Sequence, residues 1–271
     1  MIGGAKPDAR TDTILLLGHG SRDPAAVEEF ERFVAFFKEW SGFPRVSPGY
    51  LELTAPSIPE AIDRAAAEGA ARIWVYPLFL FPGRHVSSDL PRFLSEAGTR
   101  HRAVPIHFGE AMHRHPKLLE LAKIRIGPLP AEEDRTALLL VANGSSDSRG
   151  IEAVEHFAAK LRPMLPQVHF LPCFAEMAWP SMPDAFARCL GMGITSIVVF
   201  PCVLFTGRVL QGIRLRVEKF REIDPALSIR MADPFGIHPL LAEIVWEGVQ
   251  GAWPVANGLR GPVERVIREE G

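Results

Sequence analysis

The chain of 271 residues carries one unit twice, and a constant offset of 124 positions aligns the two copies. Leu15–Asp23 matches Leu139–Asp147 at 5 of 9 positions, and Glu52–Ala61 matches Glu176–Ala185 at 5 of 10. Trp74–His85 matches Val198–Val209 at 6 of 12, with no gap between the three blocks. A duplicated sequence restricts the fold to a duplicated structure, and each copy is long enough to bury a core of its own. The repeat sets domains at 1–127 and 136–255. Between them Gly127–Arg135 is short and rich in proline and charge, which suits a linker. Residues 256–271, with Gly258, Gly261 and mixed charge, read as a loosely ordered tail.

The copies differ where chemistry is concerned. Asn143 takes the place of His19 and Val209 that of His85, whereas Glu52 persists as Glu176. A copy that drops two imidazoles but keeps its scaffold leaves the reaction to the other copy.

Hydrophobic residues at 47% and charged residues at 23% describe a globular protein, not a disordered or fibrous one. A net charge of −2, with no Lys/Arg run, argues against nucleic acid as a partner. The apolar runs Ile73–Phe81 and Ile197–Phe205 are too short to span a bilayer, and both contain proline. The first ten residues lack the apolar stretch of a signal peptide. Cys173, Cys189 and Cys202 form no Cys-x-x-Cys pair, so buried free thiols in a reducing cytoplasm are expected.

Each copy alternates short Ile/Leu/Val runs with amphipathic stretches. In the first, strands are expected at Thr13–Leu17, Val46–Leu51, Arg72–Leu78 and Ala103–His107. Helices are expected near Pro24–Trp40, Pro56–Glu68, Val86–Glu96 and Pro116–Ile126, with prolines near helix starts and Gly69 and Gly98 at helix ends. The second copy repeats the plan, with strands near Ala137–Val141, Val168–Phe174, Ser196–Pro201 and Ser228–Met231. Alternation of this kind implies an α/β fold, a small doubly wound parallel sheet in each half. Ligands of such sheets bind at the carboxyl ends of the strands. His19 follows the first strand, Glu52 ends the second and His85 follows the third, so all three are expected at one sheet edge.

Taken singly, His19 in Gly18-His-Gly-Ser-Arg-Asp23 fits a glycine-rich turn with a histidine filling space. Taken together, two imidazoles and a carboxylate make an open N/N/O site suited to divalent iron, cobalt or nickel. The same groups serve as bases near neutral pH. Presenting a metal and removing protons are the two tasks of inserting a metal into a tetrapyrrole, which loses two pyrrole protons as the ion enters.

These motifs, in this order and spacing and with the duplication, resemble the sirohydrochlorin chelatases. These are the class II, ATP-independent chelatases of siroheme and cobalamin biosynthesis. The resemblance covers nearly the whole chain, since the long form of that family is two fused flavodoxin-like units. It implies His19 and His85 as catalytic and metal-binding histidines and Glu52 as their accompanying carboxylate. It implies a Co²⁺ or Fe²⁺ substrate, with Ni²⁺ also fitting the donor set, no nucleotide, and a polycarboxylate tetrapyrrole partner. Arg22, Arg84 and Ser21 lie inside the motifs and are candidates to meet its acidic arms. Arg208 repeats Arg84, so a structural role for the Gly-Arg pair is equally consistent. This chain lacks the histidine-rich tract and cysteine-rich tail of some members. Fusion of two units favours a monomer.

Other residues are discounted. His115-Pro116 recurs as His238-Pro239 in the half without the pair, which marks a helix start, and His113 shares its short segment with His115. His101, His107, His156 and His169 are scattered. Ser145, Ser87 and Ser88 suit helix caps. Glu176 outlasts its imidazoles and suits a structural role or a place in the cleft wall; Phe79, Phe81, Phe200 and Phe205 offer faces for a flat macrocycle, although strand packing suits most of them better. Two other readings compete: a non-catalytic tetrapyrrole or metal carrier, and a hydrolase using Ser21. The latter lacks the Gly-x-Ser-x-Gly pattern.

Overall fold

The computed structural model describes residues 6–83, 89–109, 112–129, 135–251 and 253–254. The first repeat runs β1 (Thr13–Gly18), α1 (Pro24–Ser41), β2 (Val46–Tyr50), α2 (Ile58–Ala67), β3 (Ile73–Pro77), α3 (Leu90–Arg100), β4 (Ile106–Phe108) and α4 (Pro116–Ile126). The second runs β5 (Thr136–Ala142), α5 (Ser148–Leu161), β6 (His169–Phe174), α6 (Met182–Gly191), β7 (Ser196–Pro201), α7 (Arg208–Ile223), β8 (Ser228–Met231), α8 (Pro239–Gln250) and β9 (Trp253–Pro254).

Each repeat forms a parallel sheet in the same order, β2-β1-β3-β4 in the first and β6-β5-β7-β8 in the second. The expected α/β, doubly wound architecture is therefore the observed one. β1 and β5 are buried along their whole length, as central strands covered on both faces must be. The antiparallel β9 extends the first sheet beyond β4, an addition that the repeat pattern gives no reason to expect.

Helix starts follow local chemistry. Asp23 accepts a hydrogen bond from the Ala25 N–H at 3.0 Å, and Pro24 takes the first helical position of α1. Ser57 and Glu60 form a reciprocal capping box at α2, repeated by Ser181 and Asp184 at α6. His115 caps α4, its Nδ1 accepting from the Lys117 N–H at 3.3 Å, which is the helix-start role expected of it. Gly69, at φ 75°, follows α2 as expected. Gly98 does not end its helix: α3 continues to Arg100, and Gly98 lies within it.

The compact units are not the sequence repeats. One unit comprises Met1–Met112 with Pro239–Gly271, and the other His113–His238. α4, last helix of the first repeat, packs on α5 and β7, while α8, last helix of the second, packs on α1 and β3. The sequence halves 1–127 and 136–255 thus exchange their final helices. An amphipathic helix advertises that it needs a sheet to cover, not which of two similar sheets it will cover. The tail at 256–271 lies outside the described residues.

A buried anion anchors the entrance to β1. Asp12 is fully buried, accepts from the Trp74 indole N–H at 2.9 Å and pairs with Arg72 at 2.9 Å. Its partners satisfy a charge that would otherwise be prohibitive to bury. The three cysteines are free and buried, and burial pushes the Cys189 thiol up to about 11 and the Cys173 thiol up to about 12. Among the described residues no helix is long and apolar enough to cross a membrane.

Candidate active site

β1 lies between β2 and β3, so its carboxyl end marks the point where strand order reverses. The ladder between β1 and β2 continues past both strands. Leu51 N–H donates to the Gly18 carbonyl and Glu52 N–H to the His19 carbonyl, each at 3.0 Å. These bonds seat Glu52 beside His19, and their side chains meet: His19 Nδ1 is 3.5 Å from Glu52 Oε1. Both are half exposed, at 49% and 47% of the side chain, so the pair is open to a ligand.

Gly20 makes the approach possible. It stands at φ 88°, and a β-carbon there would fall 1.8 Å from the Glu52 carbonyl oxygen. Gly144 is its twin at φ 89°, facing the Glu176 carbonyl at 2.3 Å. Thr54 braces the same loop: its hydroxyl accepts from the Ser21 N–H and donates to the Ser21 carbonyl, both at 3.1 Å. Ser21 Oγ in turn accepts from the Asp23 N–H at 3.0 Å, so this hydroxyl serves the turn into α1. Arg22 is exposed on that turn. Thr54 escaped the sequence reading because its counterpart is Ala178 and it belongs to no recognisable motif.

The chain leaves β3 through Leu78 and Phe79. Leu78 N–H donates to the Leu17 carbonyl at 2.8 Å, which holds this exit against β1. Phe79 meets the His19 ring edge-on at 6.4 Å between centroids, so this half-buried aromatic faces the site as well as the core. Phe200, by contrast, is fully buried against Phe235, as strand packing predicts. Arg84, His85, Ser87 and Ser88 lie outside the described residues. Among the described residues no group of three metal-ligating side chains occurs.

The second unit keeps the scaffold and changes the chemistry. Glu176 N–H donates to the Asn143 carbonyl at 2.9 Å, the same ladder bond as at Glu52. Its carboxylate, however, pairs with Arg216 at 3.4 Å, and Val209 packs against the core of the unit. Two of the discounted histidines have structural partners. His101 pairs with Asp63 at 2.6 Å, and His107 stacks on Trp74 at 4.1 Å. A groove of about 730 Å³ in the second unit, bordered by Arg162, His169, Phe170, Trp179 and Arg188, contains none of the residues selected from sequence.

The CbiX family model matches residues 13–128 and again 137–252, the two repeats. A sirohydrochlorin cobaltochelatase of Priestia megaterium is 27% identical over 93% of this chain and 81% of its own length. A sirohydrochlorin ferrochelatase of Bacillus subtilis is 28% identical over 83% and 86%, respectively. SirB from Bacillus subtilis, solved with Fe³⁺, superposes with a TM-score of 0.77 at 26% identity, covering 89% of this chain and 94% of that one.

Proposed function

Because the chain belongs to the CbiX family, we propose that it is a lyase that inserts a divalent metal ion, Co²⁺ or Fe²⁺, into sirohydrochlorin without ATP. The observation that carries this reading is the His19–Glu52 pair, a half-exposed imidazole and carboxylate 3.5 Å apart at the strand-order reversal of the first sheet.

The metal is a substrate, and a mixed nitrogen and oxygen donor set accepts cobalt, iron or nickel; selection then follows geometry and availability. His19, His85 and Glu52 present the ion and take up protons. Four metal–nitrogen bonds form inside the ring, two of them at nitrogens whose N–H bonds break, and the two protons leave to the two imidazoles, one to each. An imidazole in its neutral form accepts one at Nδ1 or Nε2, and the carboxylate at 3.5 Å stabilises the resulting cation. Arg22, Arg84 and the Ser21 hydroxyl meet the carboxylate arms of the macrocycle. A monomer is the working form, supported by the fusion of two units, and the cytoplasm is the working location, supported by three free buried thiols.

The test is direct. Purified protein is mixed with sirohydrochlorin and Co²⁺ or Fe²⁺, and the absorbance of the free macrocycle is followed. Turnover above the spontaneous rate is expected. His19→Ala is expected to lower it by about 100-fold or more, the usual worth of a positioned base, with little change in melting temperature at so exposed a site. Stoichiometric binding without turnover would make the protein a carrier and sink the proposal.

A further inference from the structure

The loop that carries Glu52 adopts a turn that its backbone resists. Leu53 stands at φ 63°, and the Thr54 N–H donates to the Glu52 carbonyl two residues back at 2.8 Å. A γ-turn of this hand is rare, and the left-handed region disfavours a residue with a β-carbon. The second unit repeats it, with Met177 at φ 45° and the Ala178 N–H donating to the Glu176 carbonyl. The turn is therefore a property of the fold.

The side chain at its tip is not explained by the turn. Glycine or asparagine makes such a turn with less strain. Both copies nevertheless hold a long apolar side chain there and expose it, at 54% for Leu53 and 69% for Met177. Leu51, two residues earlier, packs against the core of the first unit, so apolar surface for the interior is already supplied. In the first unit alone this apolar group stands one residue from a half-exposed imidazole–carboxylate pair, which gives it a ligand to meet.

We propose that Leu53 is a substrate-positioning residue, whose exposed side chain beside Glu52 bears on the apolar face of the macrocycle. The inference rests on the metal-insertion reading and adds a residue to it. Cations recognise the carboxylate rim of such a substrate but gain little from its flat face. That face is served by apolar side chains, and Leu53 and Phe79 both lie next to the pair, Leu53 in sequence to Glu52 and Phe79 in contact with His19. Removing apolar area of this size from water strengthens binding of the macrocycle and leaves binding of the bare ion alone.

Steady-state kinetics of the full chain test it, with sirohydrochlorin and Co²⁺ varied separately. In Leu53→Gly the turn relaxes and the side chain is lost. The KM for the macrocycle is expected to rise about fivefold or more while the KM for Co²⁺ stays within about twofold. The melting temperature is expected not to fall, and Leu53→Met is expected to restore the macrocycle KM. An unchanged macrocycle KM in a folded Leu53→Gly overturns the proposal, and so does an equal rise in both KM values. Should the glycine variant fail to fold, Leu53→Asn, which also tolerates the turn, supplies the same comparison. Wild-type turnover is read independently: its absence removes the metal-insertion reading and this inference with it. Wild-type turnover matched by Leu53→Gly removes this inference alone.

Discussion

Arg216 lies 3.4 Å from the carboxylate of Glu176, whereas the equivalent carboxylate of Glu52 has His19 at 3.5 Å. The repeat explains how the arginine became available. Its counterpart, Arg92, pairs with Glu96 one helical turn away at 3.4 Å. In the second copy Phe220 stands where Glu96 does and stacks on Phe186 at 3.6 Å between centroids. The guanidinium has lost its helix partner and reaches the acid instead. The second copy thus differs in the partner of its acid, an arginine in place of an imidazole, and not only in its missing histidines.

Returning histidine to the second copy is therefore expected to fail. Asn143→His with Val209→His restores two donors, but Glu176 keeps Arg216 at 3.4 Å, a competing cation that stays protonated at any accessible pH. Val209 also packs against the core, so an imidazole there must displace apolar contacts. Calorimetric titration with Co²⁺ should show no added site per chain relative to the parent, and turnover should not double. A second site of comparable affinity would contradict the role given to Arg216.

Gly20 and Gly144 carry equivalent strain. Gly20→Ala places a β-carbon 1.8 Å from the Glu52 carbonyl oxygen, and Gly144→Ala one 2.3 Å from that of Glu176, each at a left-handed φ. Each is expected to cost about 2–4 kcal/mol of stability, measured by denaturant unfolding. Only Gly20→Ala should also reduce turnover sharply at temperatures where both variants are folded, since it displaces the Glu52 loop. Equal activity loss in both variants would mean that the two copies share the reaction.

Acid should weaken the second unit through His113. This side chain is buried, and burial, aided by Arg114, His156 and Lys160, pushes its pKa down from 6.5 to about 4. The folded state holds it neutral, so the unfolded chain takes up the proton first as pH falls. There is no penalty above about pH 6.5. Between about 6.5 and 4 the folded state loses up to roughly 3 kcal/mol from this group, and the loss then levels off. His113→Met cannot titrate, so its stability should fall less than the parent's over that window in pH-dependent unfolding. Parallel curves would show that the imidazole is solvated in the fold.

Local chemistry was legible in the sequence wherever one residue settles one bond. The helix-start role of His115 falls where its recurrence as His238 predicts. Ser196–Pro201 and Ser228–Met231 fall as expected, while the other six strands have an edge moved by one to three residues, because a strand ends where its neighbour stops pairing, which lies elsewhere in the chain. Gly98 misled because a glycine permits a helix end without enforcing one, and here α3 ran on to Arg100. At the site, the repeat itself drew attention to His19 and Glu52. Thr54 and Arg216 stayed hidden, since each acts across a distance in sequence that no motif spans.

The periodicity of apolar residues, repeated at a fixed offset, by itself determined two parallel sheets of the same strand order and the copy that retains its imidazoles. Only the tertiary structure decided that α4 and α8 change places, that β9 extends the first sheet, and that Arg216 pairs with Glu176. The reason is physical. Hydrophobic pattern fixes which face of an element must be buried, whereas its covering partner is chosen by competition among similar surfaces, and that competition is settled only once the whole chain has folded.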